Sequence, residues 1–137
     1  MTEFNGGGQQ ARVAAERFRQ AIESTFAGDT DLLRRGAFVD TCCLIEIGAE
    51  QLVLTIRKGR PTVAARVPPL VSWEFAIRAG ADAWLALWQP VPEPGWHDVF
   101  ALAKRGAMRI EGSLQPFMAN LQYFKDLVTL PRPGGPQ

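Results

Sequence analysis

The chain has 137 residues, 15 Lys+Arg against 14 Asp+Glu, a formal net charge of +1, 47% hydrophobic residues and 21% charged ones. This is an ordinary globular balance for one domain, able to bury roughly 70% of its extended surface without disulfides or a metal, and it lacks the basic field of a nucleic-acid binder. No run approaches the roughly 18 apolar residues of a membrane-spanning helix, and MTEFNGGG does not read as a secretory signal, so a soluble cytoplasmic domain is expected.

Residues 1–9 are Gly-rich and 131–137 Pro/Gly-rich, and both are expected to be flexible or draped on the surface. Between them, Gln10 to Phe26 has helical spacing. Ala11, Ala15, Phe18, Ile22 and Phe26 share one face, with Arg12/Glu16 and Arg19/Glu23 as i,i+4 pairs on the other. Cys42 to Ile47 and Gln51 to Lys58 read as a hairpin. Gly59-Arg60-Pro61 turns the chain into a third strand, Thr62 to Val67, stopped by Pro68-Pro69. Ser72 to Arg78 alternates with period two, placing Trp73, Phe75 and Ile77 on one face. After Gly80 the period becomes helical, and Trp84, Leu87 and Trp88 fall together. The Pro-rich segment 90–95 breaks the chain, a short helix covers Trp96 to Arg105, and Ala107 to Glu111 is a strand. Leu114 to Leu130 reads as a closing helix with a stripe of Leu114, Phe117, Met118, Leu121, Phe124 and Val128. The expected architecture is α+β: one five-stranded, mainly antiparallel sheet with helices on one face, enclosing an apolar cavity.

The chemistry-bearing residues are sparse. Cys42 and Cys43 are adjacent on a strand, point to opposite faces and read as reduced core thiols, which suits a reducing compartment. His97 is the sole histidine, so no zinc spacing exists, and the chain contains no phosphate-binding glycine loop or G-x-S-x-G. No metal, cofactor or catalytic residue is assigned. Asp98 reads as a helix cap, badly placed to orient His97 as a base. Arg57, Lys58 and Arg60 crowd a turn and read first as solvated edge charges, with an anion or lipid-headgroup contact as the alternative.

The aromatic residues stand out instead. All four tryptophans lie in 73–96, and together with Phe100, Phe117, Met118 and Phe124 they supply more apolar surface than a thin layer over a small sheet needs. The candidate ligand-binding residues are Trp73, Phe75, Ile77, Trp84, Leu87, Trp88, Trp96, Phe100, Phe117, Met118, Leu121 and Phe124. The cavity is expected between the 72–78 strand face and the helices at 81–88 and 114–130, with the 90–96 loop as rim and Trp96 as flap.

Three segments, LVLTIRKGRPTVAARV, SWEFAIRAGADAWLALW and AKRGAMRIEGSLQPFMANLQYFKDLVTL, make residues 40–130 resemble the sterol-carrier-protein type two family. The resemblance rests on the order and spacing of strand, basic turn, strand, strand-into-helix and the closing helix–Gly–strand–Gly–helix. It implies a five-stranded sheet with helices on one face, an apolar tunnel for fatty acyl or sterol-like ligands, and no shared catalytic residues. The chain departs from simpler members in WQPVPEPGWHDVF, and its C-terminus lacks a peroxisomal Ser-Lys-Leu ending. The function expected is non-catalytic binding or transfer of a hydrophobic small molecule or lipid. The alternatives are an accessory domain docking a lipid-metabolising enzyme, and a small cone-shaped isomerase or cyclase. FAGDTDLL faintly resembles the latter class, with His97, Asp98 or Asp40 as its acid/base candidates.

Overall fold

A computed structural model describes residues 2–64 and 72–134, with side chains from Gly8 onward. Helix α1 (Thr2–Thr25) begins earlier than the apolar spacing alone indicates, because extending a helix beyond a packed nucleus costs far less than starting one. Its buried face is the expected one, joined by Ala14. Arg19 pairs with both Glu16 and Glu23, and so displaces the expected Arg12/Glu16 pair. A short helix that sequence spacing did not disclose follows: α2 (Asp31–Arg35), capped by Thr30, whose Oγ1 accepts the Leu33 N–H.

Five strands follow the predicted order, β1 (Thr41–Ile47), β2 (Glu50–Arg57), β3 (Arg60–Ala64), β4 (Phe75–Ala79) and β5 (Met108–Gly112). They form one sheet in the order β3-β2-β1-β4-β5. Pairing is antiparallel except between β1 and β4, which are parallel, so the sheet is mixed. The β2–β3 turn places Lys58 and Gly59 at φ +52° and +81°, the left-handed conformation of a tight hairpin. Residues 65–67 of the expected third strand, and Pro68-Pro69, lie outside the described residues.

One sheet face carries the main core: Cys43, Ile45, Ile47, Leu52, Leu54, Ile56, Phe75 and Ile77 against the helices. The opposite face carries a smaller cluster of Leu44, Val53 and Ala76 with Cys42 and Trp73. Cys42 and Cys43 are free and on opposite faces, as the strand period requires. Burial pushes the Cys43 thiol pKa well up.

Three expectations need correction. Strand β4 starts at Phe75, because Glu74 sits in a bend. There its N–H donates to Cys42 O (2.8 Å), its carbonyl accepts from Ser113 N–H (2.7 Å), and its carboxylate accepts from Thr41 Oγ1 (2.6 Å). That bend breaks the alternation, and Trp73 lands on the face opposite to Phe75 and Ile77. Next, the helix expected over Trp96–Arg105 begins only after Asp98, as α4 (Val99–Lys104), following α3 (Ala81–Leu87) and the irregular Pro-rich loop. Finally, the closing helix is two: α5 (Gln115–Ala119) and α6 (Leu121–Val128), broken at Asn120 (φ −127°, ψ 40°). The Asn120 side chain donates to Pro116 O (3.0 Å), the local competition with backbone pairing that makes Asn a poor interior helix residue.

The start of the tail is held. Arg132 is only 8% exposed, its guanidinium donates to Leu87 O and His97 O, and Arg17 donates to Pro131 O. Burial lowers the Arg132 pKa, and nearby Asp98 opposes that shift. Residues 135–137 of the tail lie outside the described residues, and those described from 117 onward carry the end of α5, α6 and turns in place of the strands an isomerase-like cone requires.

Candidate functional site

The residues expected to wall one cavity are divided among four places. Trp84 and Trp88 pack against Phe18 of α1, Trp88 stacked on it and Trp84 tilted, at ring-centroid separations of 6.2 Å (Trp84) and 6.0 Å (Trp88) from Phe18 and 5.9 Å from each other. Leu87 is buried on the same helix. Both indoles are tethered: Trp84 Nε1–H donates to Glu46 O (2.9 Å) and Trp88 Nε1–H to Val128 O (2.7 Å). A buried indole needs such a partner, and here it joins α3 to β1 and to the end of α6.

The second grouping lies between β4 and the C-terminal helices. The Phe75 ring meets Phe117 at 5.6 Å and Phe124 edge-on at 5.1 Å, and Phe117 also meets Phe100 and Phe124 at 5.8 Å each. Ile77 lies one pleat further along the same face of β4. No polar tether fixes these rings. Above them, α5 spans five residues, has no side-chain N-cap and buries Phe117 alone. Leu114 stays 43% and Met118 52% exposed at its edge, while Leu121 is half-buried against the core. A single turn held by one buried side chain belongs to the low-stability end of a fold. Phe117 and Met118 thus sit on a weakly held turn, with Phe100, Leu121 and Phe124 beside it on α4 and α6, whereas Trp84, Leu87 and Trp88 are braced.

Trp73 lies on the other sheet face, 5.4 Å from the Arg78 guanidinium. Arg78 also bridges Glu46 (2.8 Å) and Glu111 (2.6 Å). Burial works against the Arg78 charge, and the two carboxylates outweigh it and raise the pKa. Trp96 does not cap the phenylalanine cluster. It lines an open groove of about 590 Å³ with Gln10, Asp82, Leu85, Gln89 and Val91, and its ring stacks under Arg105 at 4.3 Å.

The polar candidates have structural partners. Asp98 is the N-cap of α4, accepting the Ala101 N–H at 2.8 Å, with Lys125 Nζ at 3.4 Å. Burial would raise its pKa, but the cap bond and Lys125 prevail and hold the carboxyl below the usual range. His97 Nε2 lies 3.5 Å from Asp98 Oδ2, closer than helical neighbours would allow, because Asp98 sits outside the helix with an extended backbone. That separation is beyond a good hydrogen bond, and the imidazole is largely exposed. Asp40 Oδ1 accepts the Lys58 N–H at 3.2 Å. Among the described residues no group of His, Cys, Asp and Glu could hold a metal ion, and no helix is long and apolar enough to cross a membrane.

No protein-family model and no curated protein matches the chain. Solved structures do. A crystal structure of sterol carrier protein 2 superposes with a TM-score of 0.59 at 13% identity, over 88% of this chain and 94% of that one. The UbiJ-SCP2 ubiquinone synthesis protein matches with a TM-score of 0.56 at 15% identity, over 87% and 95%. Sterol carrier protein 2 like 2 from Aedes aegypti gives 0.53 at 20% identity, over 80% and 94%. The chain has the sterol-carrier-protein type two fold, with its mixed five-stranded sheet and helices on one face.

Proposed function

We propose that this chain binds or transfers an apolar small molecule, a fatty acyl chain or sterol-like ring system, without transforming it. The ligand is received between β4 and the C-terminal helices, where α5 moves aside and Phe75, Phe100, Phe117, Leu121 and Phe124 become its lining. One observation carries this reading: the untethered phenylalanine cluster is closed by a single-turn helix that buries one side chain and leaves Leu114 and Met118 exposed at its edge. Support also comes from the fold, which sterol carrier proteins share. Affinity follows from buried apolar area at roughly 25 cal/mol per Å², reduced by the cost of displacing α5 and ordering the ligand. No cofactor takes part. The test is mass spectrometry of the small molecules that co-purify with the wild-type chain and with Leu121→Asp. The proposal expects a lipid with the first and none with a folded form of the second. A wild-type chain that neither retains nor takes up any lipid contradicts it.

A second reading, an accessory domain beside a lipid-metabolising enzyme, draws support from the ubiquinone synthesis protein among the structural neighbours. Co-purification of an enzyme with the tagged chain from its native cell extract tests it.

A further inference from the structure

Among the described residues, the most exposed large apolar side chain lies away from the candidate site. Phe38 is 95% exposed in the turn between α2 and β1. A lone exposed apolar residue is ordinary, but the surroundings of this one are not. The Phe38 turn is locked beside the β2–β3 hairpin: Gly59 N–H donates to Val39 O (3.0 Å) and Lys58 N–H to Asp40 Oδ1 (3.2 Å). Gly59 approaches Gly36 so closely that a Cβ added there would lie 2.4 Å from Gly36 O. Tyr123 Oη–H donates to Gly59 O (2.5 Å), bracing the pair from α6. The phenyl ring therefore stands on a rigid base.

That base is cationic. Segments 29–40 and 57–60 hold five Arg or Lys against three Asp. Arg34 and Arg35 are spent on Asp29, Asp31 and Asp126, and Arg60 donates to Phe26 O. Arg57 and Lys58 have no carboxylate partner among the described residues, and both are exposed beside the hairpin tip. The strand register adds a further relation. Pairs Thr41↔Ile56, Arg57↔Arg60, Cys43↔Phe75 and Phe75↔Gly112 put the Phe38 turn, the hairpin and the start of α5 at one end of the sheet.

We propose that this end of the molecule is a docking surface for an anionic lipid bilayer. Phe38 enters the headgroup layer, and Arg57 and Lys58 meet lipid phosphates. An exposed aromatic body flanked by unpaired cations matches the boundary between anionic headgroups and acyl chains, where each basic side chain adds attraction to the lipid phosphates. The inference stands on its own, since it uses neither the phenylalanine cluster nor its ligand. If both hold, docking presents the α5 edge toward the membrane.

Flotation with phosphatidylcholine vesicles, with and without phosphatidylserine, tests the proposal on the full chain. Wild-type protein is expected to float only with the anionic vesicles, and less as salt rises. Lys58→Gln should bind about 5-fold more weakly, the equivalent of about 1 kcal/mol. Phe38→Ala should bind roughly 10-fold more weakly while unfolding at the same urea midpoint, because it buries nothing in the free protein. Phe38→Trp should show emission that blue-shifts on anionic vesicles beyond the wild-type response. Wild-type protein that stays out of the floated fraction overturns the proposal. So does vesicle binding unaffected by both Phe38→Ala and Lys58→Gln, or a duplex DNA bound more tightly than the vesicles through Arg57 and Lys58 with no dependence on Phe38.

Discussion

Two aromatic groupings share one continuous core and are held in opposite ways. Phe18, Trp84 and Trp88 lie between a long helix and the sheet, and each indole donates to a backbone carbonyl of another element. Phe75, Phe100, Phe117 and Phe124 pack on one another around a five-residue helix and carry no polar atom of their own, although Phe124 also meets Tyr123 edge-on at 5.2 Å. Ring-to-ring contacts are worth about 0.5–1.5 kcal/mol in either place. The difference is the polar tether: a donor committed to a distant carbonyl cannot slide without leaving both groups unpaired, whereas untethered rings can repack. Similar apolar composition thus yields a brace with polar tethers in one region and a cluster without them in the other.

Breaking the brace should have the largest effect. Trp84→Ala is expected to cost about 3–5 kcal/mol in urea unfolding, because it opens a cavity and removes the donor to Glu46 O. A loss below about 1 kcal/mol would erase the distinction. Phe117→Ala should fall at or below the low end of that range, about 3 kcal/mol or less, since the loosely held α5 can collapse onto the vacancy.

Edge substitutions sharpen the contrast by separating stability from binding. Met118→Glu should leave unfolding within about 0.5 kcal/mol of wild type, as its side chain is half exposed. Uptake of a fluorescent fatty acid should nevertheless fall by roughly 10-fold or more, because a charge at the edge must be desolvated as the chain enters. An uptake curve identical to wild type would place the mouth elsewhere.

The cap between the two regions gives a smaller, pH-dependent effect. Asp98→Ala should cost about 1 kcal/mol at neutral pH through loss of the α4 cap. Because the folded Asp98 pKa is lowered, its contribution is complete above the ordinary carboxylate value of about 4 and disappears as pH falls through the folded value. The wild-type and variant stabilities should therefore converge in acid, as urea midpoints measured across pH would reveal. The smallest effect belongs to His97→Ala. With an exposed imidazole, its stability should stay within roughly 0.5 kcal/mol of wild type and fatty acid uptake should be unchanged.

Much of this organisation is legible in the residues, and the parts that are not have identifiable causes. The β-rich run Cys42–Ile47 and the apolar spacing of α1 are local signals with local outcomes, although α1 starts before that spacing and the expected Gly59-Arg60-Pro61 turn falls at Lys58-Gly59, with Arg60 and Pro61 already in β3. The Asp98 cap is legible for the same reason. What the pattern misplaces depends on distant partners. Trp73 follows the alternation of β4 on paper, but Glu74 bonds to Cys42, Ser113 and Thr41 and bends the chain before the strand begins. The stripe through Leu114 and Met118 is helical in spacing, yet Asn120 ends one helix and starts another, turning those two side chains outward. The grouping of Phe18 with Trp84 and Trp88 spans more than 60 residues, and no local period encodes it. Arg132 in a Pro/Gly tail gives no hint that its guanidinium will be buried against Leu87 and His97.

The central claim is that an apolar ligand enters the phenylalanine cluster while the tryptophan brace stays closed. A titration of the ¹⁵N-labelled protein with a long-chain fatty acid, followed by ¹H–¹⁵N spectra, tests it most directly. Saturable shifts are expected in the backbone amides of residues 114–124, with the indole N–H signals of Trp84 and Trp88 unmoved. A spectrum in which the 114–124 amides stay fixed at saturating fatty acid, or in which the two indole signals move first, would contradict it.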